Sequence, residues 1–285
     1  MLNEKQIDRM LSKLKRYEDT LDAMIFEKVA DLPVSFYQTG ESLYEIPDES
    51  LFAPMAVGSH WGGEGVYGWF RTGWQVPKEL AGRPLFLRPK VGGYEALLWV
   101  DGKPFGTFAT KIVVTGHGNH YCDMVVKNPK AGQEIAIDLE FYTGHFVRGC
   151  FPFEETGRTD YDFVYESMEI CVKNEKVANF LFNLRTLNQL AEVLDDRSYR
   201  KAELINVLTA LHETVYYDPS CISREEFENS LLEGQRIMAP ALARRAPLSA
   251  PKAGVIGHSH MDTAWLSQKG RTLLKSERLP PKRHR

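Results

Sequence analysis

Glu95-Ala96-Leu97-Leu98-Trp99-Val100-Asp101-Gly102-Lys103-Pro104-Phe105-Gly106-Thr107-Phe108 decides the fold. Two apolar runs flank an Asp-Gly pair. Those two residues tolerate the left-handed backbone that a tight hairpin demands, so the stretch predicts two antiparallel strands. The same style extends to both sides. Upstream lie Gly62 to Phe70, Thr72 to Pro77 and Pro84 to Pro89. Downstream lie Ile112-Val113-Val114, Tyr121 to Val126 and Glu134 to Phe141. Many short strands with turn residues between them predict an antiparallel β-sandwich over 51–172.

The flanks change period. Ile7, Met10, Leu11, Leu14, Tyr17, Leu21, Met24 and Ile25 recur at helical spacing, which predicts an amphipathic helix over 3–29. Asp31-Leu32-Pro33 ends it, because the residue before proline is pushed out of the α region. Residues 35–50 read as irregular connecting sequence, so 1–50 is an N-terminal helix with its connection. After 173 two further stripes appear, Val177 to Leu194 and Leu204 to Val215. Ser223-Arg224-Glu225-Glu226 is a capping box opening another helix. Residues 173–237 are thus a helical connector, and 238–253, with Pro240, Pro247 and Pro251, a linker.

The linker runs into Val255-Ile256, β-branched and suited to a short buried strand. Then comes Gly257-His258-Ser259-His260-Met261-Asp262-Thr263-Ala264-Trp265-Leu266. In extended backbone, residues two apart project to the same side, so His260 and Asp262 project together, with His258 beside them. An imidazole nitrogen and a carboxylate oxygen so placed can share a divalent cation, at about 2.0–2.2 Å for zinc. A bare His-x-Asp is equally a loop histidine hydrogen-bonded to its neighbour.

The longer string resembles the signature of the zinc-dependent retaining α-mannosidases, glycoside hydrolase family 38, of cytoplasmic or vacuolar type. The resemblance implies that His260 and Asp262 are zinc ligands and that Trp265 belongs to the sugar platform. It implies that 254–266 opens a β/α catalytic barrel and that the substrate is a mannose-containing oligosaccharide. The family's nucleophile, acid/base and remaining zinc ligands lie downstream of this motif and have no counterpart here, so no catalytic residue is assigned. The zinc site is incomplete, and the 285 residues alone are expected to be inactive. The family also allows an oligomer. Leu97 to Pro104 resembles the galactose-binding-like jelly rolls that accompany many glycosidases. The expected class is therefore α+β: N-terminal helix, antiparallel sandwich, helical connector, then the first strand of a truncated barrel.

Residues 267–285 depart from the family pattern. They carry a net charge of +6, against −3 for the whole chain. A solvated basic tail, a nucleic-acid or targeting tail, and a shifted frame or retained intron after Leu266 all account for this, and the last is the favoured reading. Elsewhere the composition is that of an ordinary globular chain, 43% hydrophobic and 26% charged. No run of about eighteen apolar residues occurs, and the charged N-terminus is not a secretory signal. Neither a membrane nor a nucleic-acid partner is expected. Cys122, Cys150, Cys171 and Cys221 form no Cys-x-x-Cys pair, which fits reduced thiols in the cytoplasm.

Two other readings use different residues. A carbohydrate-binding module could stack sugars on Trp61, Trp69, Trp74 or Trp99. Alternation assigns Trp99 to the core, while both roles stay open for the other three. An unrelated metallohydrolase could use His258, His260 and Asp262 together. His117 and His120 read as exposed turn residues.

Overall fold

A computed structural model describes residues 3–93, 95–109, 121–144, 161–245 and 254. It is α+β, as expected, and divides into a helical unit (3–27 with 173–245) and a β unit (28–172). His117, His120 and Cys150 lie outside the described residues, as does everything after Gly254.

In the β unit the quoted stretch forms β7 (Glu95–Val100) and β8 (Lys103–Ala109). Asp101 and Gly102 sit at φ 49° and 73°, left-handed at both positions, as the tight hairpin requires. Asp101 also accepts the Ala136 N–H at 3.0 Å through Oδ1. The other strands are β1 (Phe26–Asp31), β2 (Val34–Thr39), β3 (Ala53–Met55), β4 (His60–Gly62), β5 (Tyr67–Gln75) and β6 (Leu85–Lys90). They are followed by β9 (Asp123–Val126), β10 (Glu134–Tyr142), β11 (Asp162–Val164) and β12 (Ser167–Lys173). One sheet runs β3-β2-β5-β10-β7-β8, a second β1-β12-β6-β9, and β11 pairs with β4 as a ribbon.

The core lies between the two larger sheets. On β10, Ile135, Ile137, Leu139 and Phe141 point inward. Leu139 stands opposite Phe70 of β5 and Leu98 of β7. Leu85 and Leu87 of β6, with Met168, Ile170 and Val172 of β12, close the core from the other sheet. Each such leucine removed from water contributes about 1.5–3 kcal/mol.

The outer face of the six-stranded sheet carries an apolar cluster as well, beside the buried carboxylates of Glu140 and Asp138. Tyr67, Trp69, Leu97, Trp99 and Tyr142 form a second cluster, against which Leu43, Ile46 and Phe52 pack. Arg71 pins that covering segment. Its Nε donates to Asp138 at 2.7 Å, its Nη2 to the Pro47 carbonyl at 3.3 Å, and its guanidinium lies 4.3 Å above the Phe52 ring. Two apolar faces explain why Ala96 to Val100 read as a continuous hydrophobic run.

The N-terminal segment differs from expectation. The helix α1 (Glu4–Asp22) stops short of residue 29, and 26–39 supply β1 and β2. Met24 and Ile25 continue the helical spacing, yet their N–H groups donate to Leu21 and Asp22 carbonyls in a closing turn. β1 is a half-exposed strand with no clean alternation, so its pattern is silent in sequence. Residues 35–50 are not wholly irregular either, since β2 pairs with both β3 and β5.

The helical unit joins α1 to α2 (Glu175–Val193), α3 (Tyr199–Thr214) and α4 (Arg224–Leu242). Leu14, Tyr17 and Leu21 of α1 pack with Phe180, Leu184, Leu208, Leu211 and Leu231 in one core. The expected capping box is present. Ser223 Oγ accepts from the Glu226 N–H, and the Glu226 carboxylate accepts from the Ser223 N–H. A second box, Asn3 with Gln6, opens α1. α4 continues through Pro240 to Leu242, five residues into the expected linker. Proline near a helix end removes only one ladder bond, and Ala243 closes the turn by donating to Ala239.

The side chains Glu18, Arg185 and Asn188 tie α1 to α2. Glu18 accepts from Asn188 at 2.6 Å and from Arg185 Nε at 3.2 Å. Farther along, His212 Nδ1 stands 2.5 Å from the Tyr217 hydroxyl, and Lys13 lies over the Tyr217 ring. Burial, and then the Lys13 charge, hold the imidazole below its usual pKa. The neutral ring and the tyrosine hydroxyl share one hydrogen bond. A histidine with a depressed folded pKa stabilises the fold above its unfolded value of about 6.5 and loses that contribution as pH falls toward the folded one. The thermal midpoint is therefore expected to drop on acidification from pH 7.5 to 5.5. His212→Phe is expected to flatten that part of the profile, and an unchanged slope would refute the assignment.

Candidate functional site

The residues that carry the expected chemistry, His260, Asp262 and Trp265 with neighbouring His258, lie outside the described residues. Among the described residues, no group of three or more His, Cys, Asp or Glu is placed to hold a metal ion.

The tryptophans are placed. Trp61 is buried in the sandwich core, with Nε1 donating to the Val91 carbonyl at 2.6 Å. Trp69 and Trp99 are buried in the outer cluster, their rings 6.4 Å apart. Trp74 is half-buried against the sandwich core. Stacking on a pyranose needs an open ring face, which none of the three buried rings offers. Trp99 is core, as alternation predicts, but it belongs to the outer cluster and not to the space between the sheets.

Among the described residues, the structure assembles a polar constellation that sequence reasoning missed. β4 and β11 pair antiparallel with Trp61 opposite Phe163 and Gly62 opposite Asp162. A recess of 460 Å³ at this ribbon is lined by Phe36, Gln38, His60, Trp61, Gly62, Gly63, Tyr161 and Asp162. His60 Nδ1 lies 2.9 Å from both carboxylate oxygens of Asp162. Such a carboxylate holds the proton on Nδ1 and leaves Nε2 as the basic nitrogen. Gln38 clasps Gly62, donating to its carbonyl and accepting its N–H, each at 3.0 Å. Tyr161 takes φ 41°, unusual for a bulky residue.

The dyad can orient one ligand through the free Nε2 edge of the ring. It is set in solvent, with His60 63% and Asp162 50% exposed, so its electrostatics act at high dielectric. No local motif announces it, because the partners are 102 residues apart and meet only through strand pairing. The available signal is indirect: a glycine pair beside His60 marks a backbone under unusual constraint.

No protein-family model matches the chain, and no curated protein matches it either. Among solved structures, a β-glucuronidase of Faecalibacterium prausnitzii is similar at 13% identity and a TM-score of 0.35, over 53% of this chain and 32% of that one. An uncultured Clostridium sp. β-glucuronidase is similar at 13% identity and a TM-score of 0.35, over 53% and 29%. The Ruminococcus gnavus β-glucuronidase with uronic deoxynojirimycin gives 12% and 0.33, over 53% and 29%. The chain thus matches about a third or less of the length of these enzymes. Among the described residues, no helix is long and apolar enough to cross a membrane.

Proposed function

We propose that this chain contains the N-terminal portion of a zinc-dependent retaining α-mannosidase of glycoside hydrolase family 38, acting on mannose-containing oligosaccharides in the cytoplasm. One observation carries the reading: the string His258-Ser259-His260-Met261-Asp262-Thr263-Ala264-Trp265-Leu266, behind a β-sandwich and a helical unit.

The donor set suits the metal. An imidazole nitrogen and a carboxylate oxygen are both ordinary zinc ligands, while a catalytic zinc takes about three protein ligands and keeps one open position. His260 and Asp262 supply two of them. When bound, zinc would act as a Lewis acid and template for sugar hydroxyls. Trp265 would orient the ring by presenting its apolar face. A retaining glycosidase also needs two carboxyl groups about 5–5.5 Å apart. Nothing in these 285 residues matches the family's pattern for that pair.

The test uses the purified chain. It is expected to bind zinc weakly in equilibrium dialysis, to lose that binding in His260→Ala and in Asp262→Ala, and to leave an aryl α-mannoside intact. Tight zinc binding untouched by either substitution would defeat the metal assignment. Turnover that survives further purification would defeat the expectation that these residues alone are inactive.

A further inference from the structure

The helical unit carries a recess of its own. It measures 320 Å³, inside the span of about 300–1,000 Å³ that small-molecule pockets occupy. Leu190 of α2, Leu204 and Val207 of α3, and Pro240 and Ala241 of α4 give it an apolar lining. Positions 200, 203, 204 and 207 recur at i, i+3, i+4 and i+7, so one stripe of α3 makes a wall. The α4 wall is built from Pro240 and Ala241, short side chains that leave the gap between the helices open. Leu204 is buried, whereas Leu190, Val207 and Ala241 are only half-buried, so they still have apolar surface to hide from water.

The charges around this lining do not cancel. Arg200, Glu203 and Arg244 complete it. Glu203 pairs with Arg244, which neutralises both. The adjacent cation, Lys201, is tied up by Asp196 at 2.6 Å and by the Leu194 carbonyl at 3.2 Å. Arg200 is exposed, and no acidic side chain among the described residues pairs with it. One surplus guanidinium therefore stands beside an apolar surface. A few polar groups that fix orientation over a mainly apolar lining are what small-ligand sites share.

We propose that this recess binds an anionic amphiphile, an alkyl chain of medium length ending in one carboxylate. The chain lies against Leu190, Leu204, Val207 and Ala241, and the apolar surface it covers drives association. The carboxylate meets Arg200, whose planar fork of N–H donors matches two carboxylate oxygens at once. An uncharged chain gains the first contribution without the second. A small hydrophilic anion gains the second without the first. The site does not depend on the mannosidase reading, since it uses none of the residues that carry it.

The test titrates decanoate, below its micellar concentration, into the purified full chain by isothermal titration calorimetry. One saturable site is expected. Decanol, and separately decanoate with Arg200→Gln, are each expected to bind about tenfold or more weakly, the usual contribution of a hydrogen bond to a charged group. Ala241→Phe, and independently Val207→Trp from the facing wall, put a ring into the recess and are expected to abolish binding. Absence of saturable binding, equal affinity for decanol and decanoate, or undiminished binding in Arg200→Gln or in both ring-bearing variants would each overturn the proposal.

Discussion

Replacing Trp61 with alanine is expected to destabilise the β unit by about 3–5 kcal/mol, the range for emptying a buried aromatic site. The indole is 4% exposed and sits among four other rings. Its centroid is 5.9 Å from Phe36, 5.2 Å from Phe70, 6.3 Å from Phe141 and 5.2 Å from Phe163. These rings come from β2, β5, β10 and β11, so one side chain joins four strands. The vacated space cannot collapse easily, because its walls are stiff rings. The Val91 carbonyl also loses its donor, and an unsatisfied buried acceptor costs about 1–3 kcal/mol. Trp61→Phe restores much of the packing but not the donor, and is expected to recover roughly half of the loss. Urea denaturation followed by near-ultraviolet circular dichroism measures both. A loss near about 1 kcal/mol for Trp61→Ala, the centre of ordinary substitutions, would show that the ring joins nothing.

What the sequence makes legible follows from how local each signal is. The hairpin at Asp101-Gly102 depends on two adjacent residues, so it is readable, and it is present. The Ser223 box depends on four residues and is present. β1 escapes sequence reading because it is half-exposed and its pairing partner, β12, lies more than a hundred residues downstream. The joint core of α1 with α2, α3 and α4 escapes it for the same reason, since each stripe shows an apolar face without naming what covers it. Trp69 and Trp99 show the limit of alternation. On β7, buried on both faces, inward and outward positions are equally apolar, so alternation separates the faces but not the cores.

The candidate sites divide on the same line. His260 and Asp262 are legible because both donors fall within three residues, and residue type and spacing alone suggest a shared cation. The His60–Asp162 dyad is invisible in sequence. It exists only because antiparallel pairing brings two distant strands together. Spacing rules would not find it, and it is an ordinary consequence of a fold rich in long-range contacts.

Gly62→Ala tests how tightly that pairing is built, and it is expected to cost about 3 kcal/mol or more from backbone strain and overlap together. Gly62 sits at φ 136°, a region that side chains bearing a Cβ rarely enter. A Cβ added there would fall 1.9 Å from the Tyr161 carbonyl oxygen, which is backbone and cannot swing away. That oxygen also accepts the Gly63 N–H at 3.0 Å, while Gln38 grips Gly62 on its N–H and carbonyl. Relief therefore requires β4 and β11 to part, breaking these bonds and separating His60 from Asp162. Gly40→Ala is the matched control. Nothing lies within 4 Å of a Cβ built there, and its effect is expected to stay within about 0.5 kcal/mol. Both are read from urea midpoints at constant slope. Equal midpoints for the two variants would mean that the ribbon yields freely, and that the close approach of Tyr161 is not what requires glycine at position 62.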